Sequence, residues 1–366
     1  MGLTVAQTTF EELGGWPGVL RRLVEGRSLS AEEAECVLGQ VLDGSATDAQ
    51  IAALVVALRV KGESIEEMSG FVRAMLAHGE SVVVEGDLLD VVGTGGDRLR
   101  SINVSTIAAC VAAGAGATVC KHGNRAASSS VGTADVLEAL GVVVDLGPTG
   151  VVRCLTEVGM AFCLAPRFHP AMRFAGPVRQ QLGIPTVFNF MGPLANPARA
   201  RFQLVGVSDP AMAPRMAGVL GANGTRRSMV VYADDGLDEL SVTSPSTVLD
   251  VVGDGSGNYE VETWRLDPTE LGIAPATMED LRGGDAAFNA EVIRRVLGGE
   301  RSPRRDIGVL NAGAALVVVG LAAELAEGVE RATAAVDSGR AAEVLDGLVR
   351  VSAEAAAEER ARAQGS

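Results

Sequence analysis

Between about residue 10 and Gly79, apolar positions return every three or four residues, as at Ile51, Leu54, Val55 and Leu58. That is the repeat of a helix with one buried face. Three segments open on the same signal: Ser30-Ala-Glu-Glu33, Thr47-Asp-Ala-Gln50 and Ser64-Ile-Glu-Glu67. In each, the hydroxyl accepts from an unpaired N–H of the first turn while the Glu or Gln reaches back. Gly26, Gly44, Gly62 and Gly79 follow at the far ends, where a left-handed residue favours glycine. The pattern predicts a small helical domain over residues 1–80, with no self-similarity beyond the shared caps.

At Val82 the pattern changes. Short apolar runs now alternate with helical stretches: strands at Leu88–Val92, Ala117–Cys120 and Val142–Asp145, helices at Val104–Ala113 and Ala134–Leu140. This alternation predicts βαβ units, and so an α/β domain over residues 81–366 with a central, mostly parallel sheet flanked by helices. Pro166, Pro170, Pro177, Pro185, Pro193 and Pro197 mark a crossing or hinge, and residues of about 168–197 are expected to return to the helical domain. Further α/β units are expected from Phe202 to about Val252, and Gly253–Tyr259 reads as a surface turn. The chain should close with helices from Gly284 to Val351, then a fraying helix or tail.

A length of 366 residues suggests two domains, or one large one with an appendage. With 47% hydrophobic but only 4% aromatic residues and 45 glycines, the core should be Val, Ala and Leu in an α/β protein rather than a β-sandwich. A net charge of −15 argues against nucleic acid as the main partner, and means that an anionic substrate needs a local patch or a bound cation. Cys36, Cys110, Cys120, Cys154 and Cys163 are scattered, odd in number and lack a CxxC pair, as expected of small core residues in a reducing cytoplasm. The N-terminus has no basic region followed by an apolar run, and apolar stretches such as Ala312–Ala323 are too short to span a bilayer. The expected setting is cytoplasmic, away from any membrane.

Four segments carry candidate chemistry. Asp90-Val-Val-Gly93-Thr94-Gly95-Gly96-Asp97, with Asn103-Val104-Ser105-Thr106 opening a helix, runs strand, glycine-rich turn, helix N-terminus. Such a turn lets several N–H groups and the helix dipole face a phosphate. Taken alone, the glycines do not distinguish this from a plain βα turn, and they match neither a Walker A loop nor GxGxxG. Lys121-His122-Gly123-Asn124-Arg125-Ala126-Ala127-Ser128-Ser129 follows the next strand, at the sheet edge where open α/β folds bind ligands. Four cations (Arg98, Arg100, Lys121, Arg125) against Asp97 make this region locally positive; the bland alternative is a solvated loop. Asp234-Asp235-Gly236-Leu237-Asp238-Glu239 offers four carboxylates to a hard divalent cation, although an isolated acidic cluster is more often a surface turn. Finally, His169, Arg179 and Asn189-Phe-Met-Gly192-Pro193-Leu-Ala-Asn196-Pro197 flank the hinge. Arg179 has the planar fork that suits an aromatic carboxylate, whereas a lone arginine is more commonly a surface cation. His78, at a helix end, reads as structural or exposed.

In order, GTGGD, NVST, KHGNRAASS, ADVLEALG, HPAMR with VRQQLG, FNFMGPLANPA and DDGLDEL resemble the anthranilate phosphoribosyltransferase family, within the nucleoside-phosphorylase-like phosphoribosyltransferases. The resemblance runs from about Phe10 to about Val351. It implies a homodimer formed through the helical domains, acting on phosphoribosyl pyrophosphate (PRPP) and anthranilate with Mg²⁺, one or two ions, in tryptophan biosynthesis. Carried over, it implies PRPP contacts from Gly93, Gly96, Asp97, Ser101, Asn103, Val104, Ser105, Thr106, Lys121, His122, Gly123, Asn124, Arg125, Ala126, Ala127, Ser128, Ser129 and Thr133. It implies anthranilate contacts from Gly93, Asn124 and Arg179, with His122, Pro166, His169 and Gly192 lining the route, and Mg²⁺ held by Ser105, Asp238 and Glu239. Lys121, Asn124 and Arg179 are the expected catalytic residues.

Four positions depart from the family pattern. Arg98 stands where glycine is frequent, Ser101 where threonine is usual, Val131-Gly-Thr133 where SGS is common, and Met172 where some members carry tyrosine. None removes a group that the reaction depends on. A pyrimidine-nucleoside phosphorylase and a non-catalytic nucleic-acid-binding relative are the alternatives. The first typically carries KHSxGG where this chain has Lys121-His122-Gly123-Asn124-Arg125, and the second should be basic.

Overall fold

A computed structural model describes residues 9–96, 99–125 and 131–364. The first helices are α1 (Gly15–Val24), α2 (Ala31–Leu42), α3 (Asp48–Lys61) and α4 (Ile65–Ala77). All three predicted capping boxes form, with Ser30, Thr47 and Ser64 each accepting from the backbone N–H three residues on. Gly26, Gly44 and Gly62 adopt the left-handed backbone, φ 77°, 74° and 87°. Gly79 does not. His78 caps α4, and glycine is needed at 79 because a Cβ there would lie 2.8 Å from the Phe168 carbonyl oxygen and 2.9 Å from His169 Nδ1.

Seven strands form one sheet: β1 (Leu89–Gly93), β2 (Val119–Gly123), β3 (Met160–Leu164), β4 (Phe202–Gly206), β5 (Arg227–Ala233), β6 (Ser246–Gly253) and β7 (Tyr259–Leu266). Their order is β3-β2-β1-β4-β5-β6-β7. The first five pair in parallel, and β6 and β7 add antiparallel to β5. The chain builds outward from β1 to β3 and then returns to the other side of β1. The C-terminal ends of β1 and β4 thus mark the switch point where such sheets open a crevice.

The remaining helices are α5 (Val104–Gly114), α6 (Thr133–Ala139), α7 (Pro148–Val158), α8 (Ala165–Phe168), α9 (Gly176–Leu182), α10 (Phe188–Met191), α11 (Ala213–Ala222), α12 (Ala286–Leu297), α13 (Pro303–Val318), α14 (Leu325–Asp337) and α15 (Arg340–Gln364). Helices α8 to α10 are only four to seven residues long: Pro166 and Pro177 stand in the first turns of α8 and α9, where a missing N–H is tolerated, and Pro170, Pro185 and Pro193, just past the three ends, have no N–H to extend the i→i−4 ladder. One apolar core unites α5, α13 and the C-terminal helices with one face of the sheet. A second joins α1–α4, α11 and the other face, and here Ala175, Val178, Val187, Phe188, Phe190 and Met191 of the proline-rich segment pack among the N-terminal helices.

Three sequence expectations differ from the fold. Val142–Asp145 is not a strand: Val142 and Val144 are buried, but the Val143 N–H donates to Ser352 Oγ at 3.0 Å instead of to a neighbouring strand. The third strand is β3, whose five residues are too few to show a period. The Gly253–Tyr259 turn joins a hairpin whose second strand, β7, was unforeseen, since its Glu260, Glu262 and Arg265 face solvent at the sheet edge. The chain end is not a loose tail. Glu359 accepts from the N–H groups of Gly147 and Gly150 at 3.1 and 2.9 Å, which ties α15 to the start of α7.

Candidate active site

A cleft of about 990 Å³ opens over the C-terminal ends of β1 and β2, walled on its far side by the proline-rich segment. It brings together Gly93, Gly96, Ser101, Asn103, Val104, Ser105, Lys121, His122, Gly123, Asn124, Arg125, Thr133, Pro166, His169, Arg179, Gly192, Asp238 and Glu239. Thr106 is the exception, since its side chain turns into the core and is fully buried. Asp97, Arg98, Ala126, Ala127, Ser128 and Ser129 lie outside the described residues. A second cavity of about 220 Å³, near Arg199 and Arg201, holds none of these groups.

The glycine turn is shaped by its neighbours. Gly95 and Gly96 adopt φ 66° and 84°. Gly95 N–H donates to Asp238 Oδ2 at 2.7 Å, which ties the glycine turn to the acidic loop. A Cβ on Gly93 would lie 2.6 Å from the same oxygen, and one on Gly206 only 1.6 Å from the Asp238 carbonyl oxygen. The bare ends of β1 and β4 therefore let the acidic loop lie across them. Of its four carboxylates two face away, Asp234 pairing with Arg265, and Asp235 accepting from Ser241 Oγ at 2.6 Å and from Thr243 Oγ1. Asp238 and Glu239 remain, 7% and 8% exposed, on the cleft wall.

Lys121 is 1% exposed, and its ammonium donates to the Val91 carbonyl oxygen and to Ser105 Oγ, the latter at 3.1 Å. Burial lowers its pKa, and the neighbouring carboxylates of Asp90 and Glu239 offset part of that shift. Asp90 is fully enclosed, and that burial pushes its carboxyl up to about 6 despite Lys121. Its two oxygens accept from His122 N–H at 3.1 Å and Asn196 Nδ2 at 2.8 Å. Asn196 also donates to the Cys120 carbonyl oxygen at 2.8 Å, so the amide pins the hinge loop to β1 and β2.

The two cleft histidines pack edge to face with centroids 5.3 Å apart. His122 Nδ1 lies 3.0 Å from the Gly192 carbonyl oxygen, which makes it the N–H and leaves Nε2, buried and without a partner among the described residues, as an acceptor. Burial first, then His169, pulls His122 down to about 3, so its ring is neutral. His169 sits between the carbonyls of Ala195 and Met75, 2.8 and 3.3 Å away, and burial lowers its pKa as well.

Arg179 is half-buried, and desolvation alone moves its pKa, downward. No carboxylate pairs with it among the described residues, and its guanidinium stands 6.0 Å from the Phe188 ring. By contrast Arg125 is at the rim and already engaged with Glu138 at 2.7 Å and Asp135 at 3.4 Å. Asn289 of α12 escaped the sequence reading. It lines the cleft and donates through Nδ2 to Asn103 Oδ1 at 2.9 Å, which is why Asn103 does not cap its own helix. No local motif announces it, because its partner lies 186 residues away. Arg100 of the positive patch and Asn189 of the hinge segment are also on the wall, together with Arg173, to which no role had been assigned.

Ser105, Asp238 and Glu239 supply hard oxygen donors, which fits an Mg²⁺ completed by water and phosphate oxygens. Among the described residues no cluster of three or more His, Cys, Asp or Glu side chains forms a protein-only cage.

Comparison with known proteins bears on this geometry. Residues 17–79 match the helical bundle domain, and residues 85–342 the a/b domain, of the glycosyl transferase family. The anthranilate phosphoribosyltransferase of a Nocardioides species is 52% identical over 92% of this chain and 99% of its own length. That of Rhodococcus jostii is 50% identical over 90% of this chain and 91% of its own. Among solved structures, the Thermus thermophilus anthranilate phosphoribosyltransferase superposes with a TM-score of 0.84 at 40% identity, covering 91% of this chain and 99% of that one. The Saccharomyces cerevisiae enzyme in complex with PRPP and Mg gives 0.83 at 27% identity, over 93% and 98% of the two chains. The same yeast enzyme in complex with 4-fluoroanthranilate gives 0.82 at 25% identity over the same shares.

Proposed function

The chain belongs to the anthranilate phosphoribosyltransferases, and on that footing we propose how its cleft moves the 5-phosphoribosyl group of PRPP onto the amine of anthranilate, releasing N-(5-phosphoribosyl)anthranilate and pyrophosphate in tryptophan biosynthesis. The observation that carries the assignment of roles is the division of the cleft. The sheet edge gathers Ser105, Lys121, Asp238 and Glu239, whereas the proline-rich wall presents Arg179, which has no carboxylate partner among the described residues.

PRPP lies along the sheet edge, its phosphates against Gly93, Gly96, the first turn of α5 and Lys121. Ser105, Asp238 and Glu239 hold Mg²⁺, which when bound supplies the positive charge that a departing pyrophosphate needs. Asn103, oriented by Asn289, and Asn124 fix the ribose end. Across the cleft the Arg179 fork matches the carboxylate of anthranilate, and the neutral His122 adds no charge beside the arylamine. Displacement at the anomeric carbon builds positive character on the ribose and negative charge on pyrophosphate. Orientation and electrostatic stabilisation therefore supply most of the acceleration. An arylamine is already neutral at pH 7, so no strong general base is required.

We take residues 1–80, joined by the returning segment of about 168–197, as the helical domain and residues 81–366 as the α/β domain; Ala175, Val178, Val187 and Phe188 packing with the N-terminal helices supports the return. We take the working state to be a homodimer through the helical units, where Val24 and Val60 are 79% and 84% exposed. A cytoplasmic setting suits a phosphorylated substrate and five unpaired thiols, and no helix among the described residues is long and apolar enough to cross a membrane.

The test is loss of anthranilate fluorescence with purified protein, PRPP and Mg²⁺. Decay is expected only with both present, and should stop on adding EDTA. Phosphorolysis of uridine by the same preparation, without that decay, would overturn the assignment.

A further inference from the structure

The acidic loop is fastened from behind by a residue far from it in sequence. Asn311, on α13 and fully buried, meets both backbone groups of Leu240: Leu240 N–H donates to Asn311 Oδ1 at 3.0 Å, and Asn311 Nδ2 donates to the Leu240 carbonyl oxygen at 2.8 Å. The second amide hydrogen reaches the Ile307 carbonyl oxygen at 2.9 Å, fixing the side chain to its own helix. Asn311 thus does for one loop residue what a neighbouring strand does in a sheet. Leu240 is itself fully buried, and water cannot replace either bond. It directly follows Glu239, so where Leu240 sits decides where the two carboxylates stand. On the other side, Asp235 draws Ser241 and Thr243 together and accepts from Leu237 N–H at 3.0 Å.

We propose that Asn311 is a positioning residue that sets Asp238 and Glu239 at the spacing the divalent cation requires. The proposal rests on the reading that those carboxylates hold the metal. Outer partners of metal ligands typically change affinity by about 10- to 100-fold when removed, because the ligands lose their fixed geometry.

The probe is Mn²⁺ titrated into protein with PRPP, free ion being read by electron paramagnetic resonance, alongside the Mg²⁺ dependence of turnover. Asn311→Ala should weaken Mn²⁺ binding on the order of tenfold and raise the half-saturating Mg²⁺ in step, leaving the anthranilate KM unchanged. Asn311→Asp, which keeps the acceptor for Leu240 N–H and loses the donors, serves if the alanine variant does not fold. Ser352→Ala removes another buried side chain-to-backbone bond, away from the cleft, and should lower Tm without moving the metal curve. Equal weakening in Ser352→Ala would reduce Asn311 to a general stabiliser and overturn the proposal. Unchanged Mn²⁺ binding in the Asn311 variants, with loss in the Asp238→Asn, Glu239→Gln double variant, would overturn the role of Asn311 alone. Unchanged binding in that double variant too would overturn the metal reading, and the proposal with it.

Discussion

His122 shows how far burial sets the chemistry of a single side chain. In the folded protein its ring stays neutral down to about pH 3, whereas the unperturbed value is 6.5. Between those values the unfolded chain binds a proton that the folded chain refuses, so stability falls as pH drops below 6.5 and continues to fall toward 3. The slope from this group alone is at most about 1.4 kcal/mol per pH unit. Replacing His122 with Asn should flatten the acid limb of a Tm-against-pH curve, and an unchanged limb would show that other groups set it. Burial lowers the pKa of Lys121 too, but there Asp90 and Glu239 oppose the shift. Its chemistry was legible from its place after a strand, but Asp90 was not. A carboxylate inside an apolar strand carries no motif of its own, and its role appears only once Asn196 and the His122 N–H close on it.

Among the elements, those with a strong local signal were readable before any coordinates. Capping boxes start α2, α3 and α4 where Ser30, Thr47 and Ser64 stand, because the signal is contained in four residues. Strand β3 and the Val142–Asp145 run were exchanged because both are short and apolar, and only pairing tells them apart: Met160–Leu164 finds β2, while Val143 finds Ser352. The acidic loop was half legible. Four carboxylates suggested a metal, but which two face the cleft depends on Gly206, Gly93 and Asn311, all distant in sequence. Gly206 carries a prediction at this level. A methyl group there would overlap the Asp238 carbonyl oxygen, so Gly206→Ala must push the loop off β4. We expect a stability loss of about 1–3 kcal/mol together with near-complete loss of turnover. Wild-type activity at limiting Mg²⁺ would contradict this view of the strand end.

At the scale of the molecule, a chain of net charge −15 places Arg100, Lys121, Arg173 and Arg179 around one cleft, where Asp238 and Glu239 are the carboxylates among the described lining residues. That concentrates an attractive field where two anionic substrates must meet. The cleft exists because the chain crosses back: the proline-rich segment leaves the α/β core, packs among α1–α4, and carries Arg179 to face the sheet edge. The central claim is that the two walls take different substrates. The most direct measurement is steady-state kinetics of Arg179→Ala, titrating each substrate at saturation of the other. The anthranilate KM should rise on the order of 100-fold, from loss of a charge-assisted carboxylate clamp, with the PRPP KM unchanged. Equal increases in both would contradict the division of the cleft.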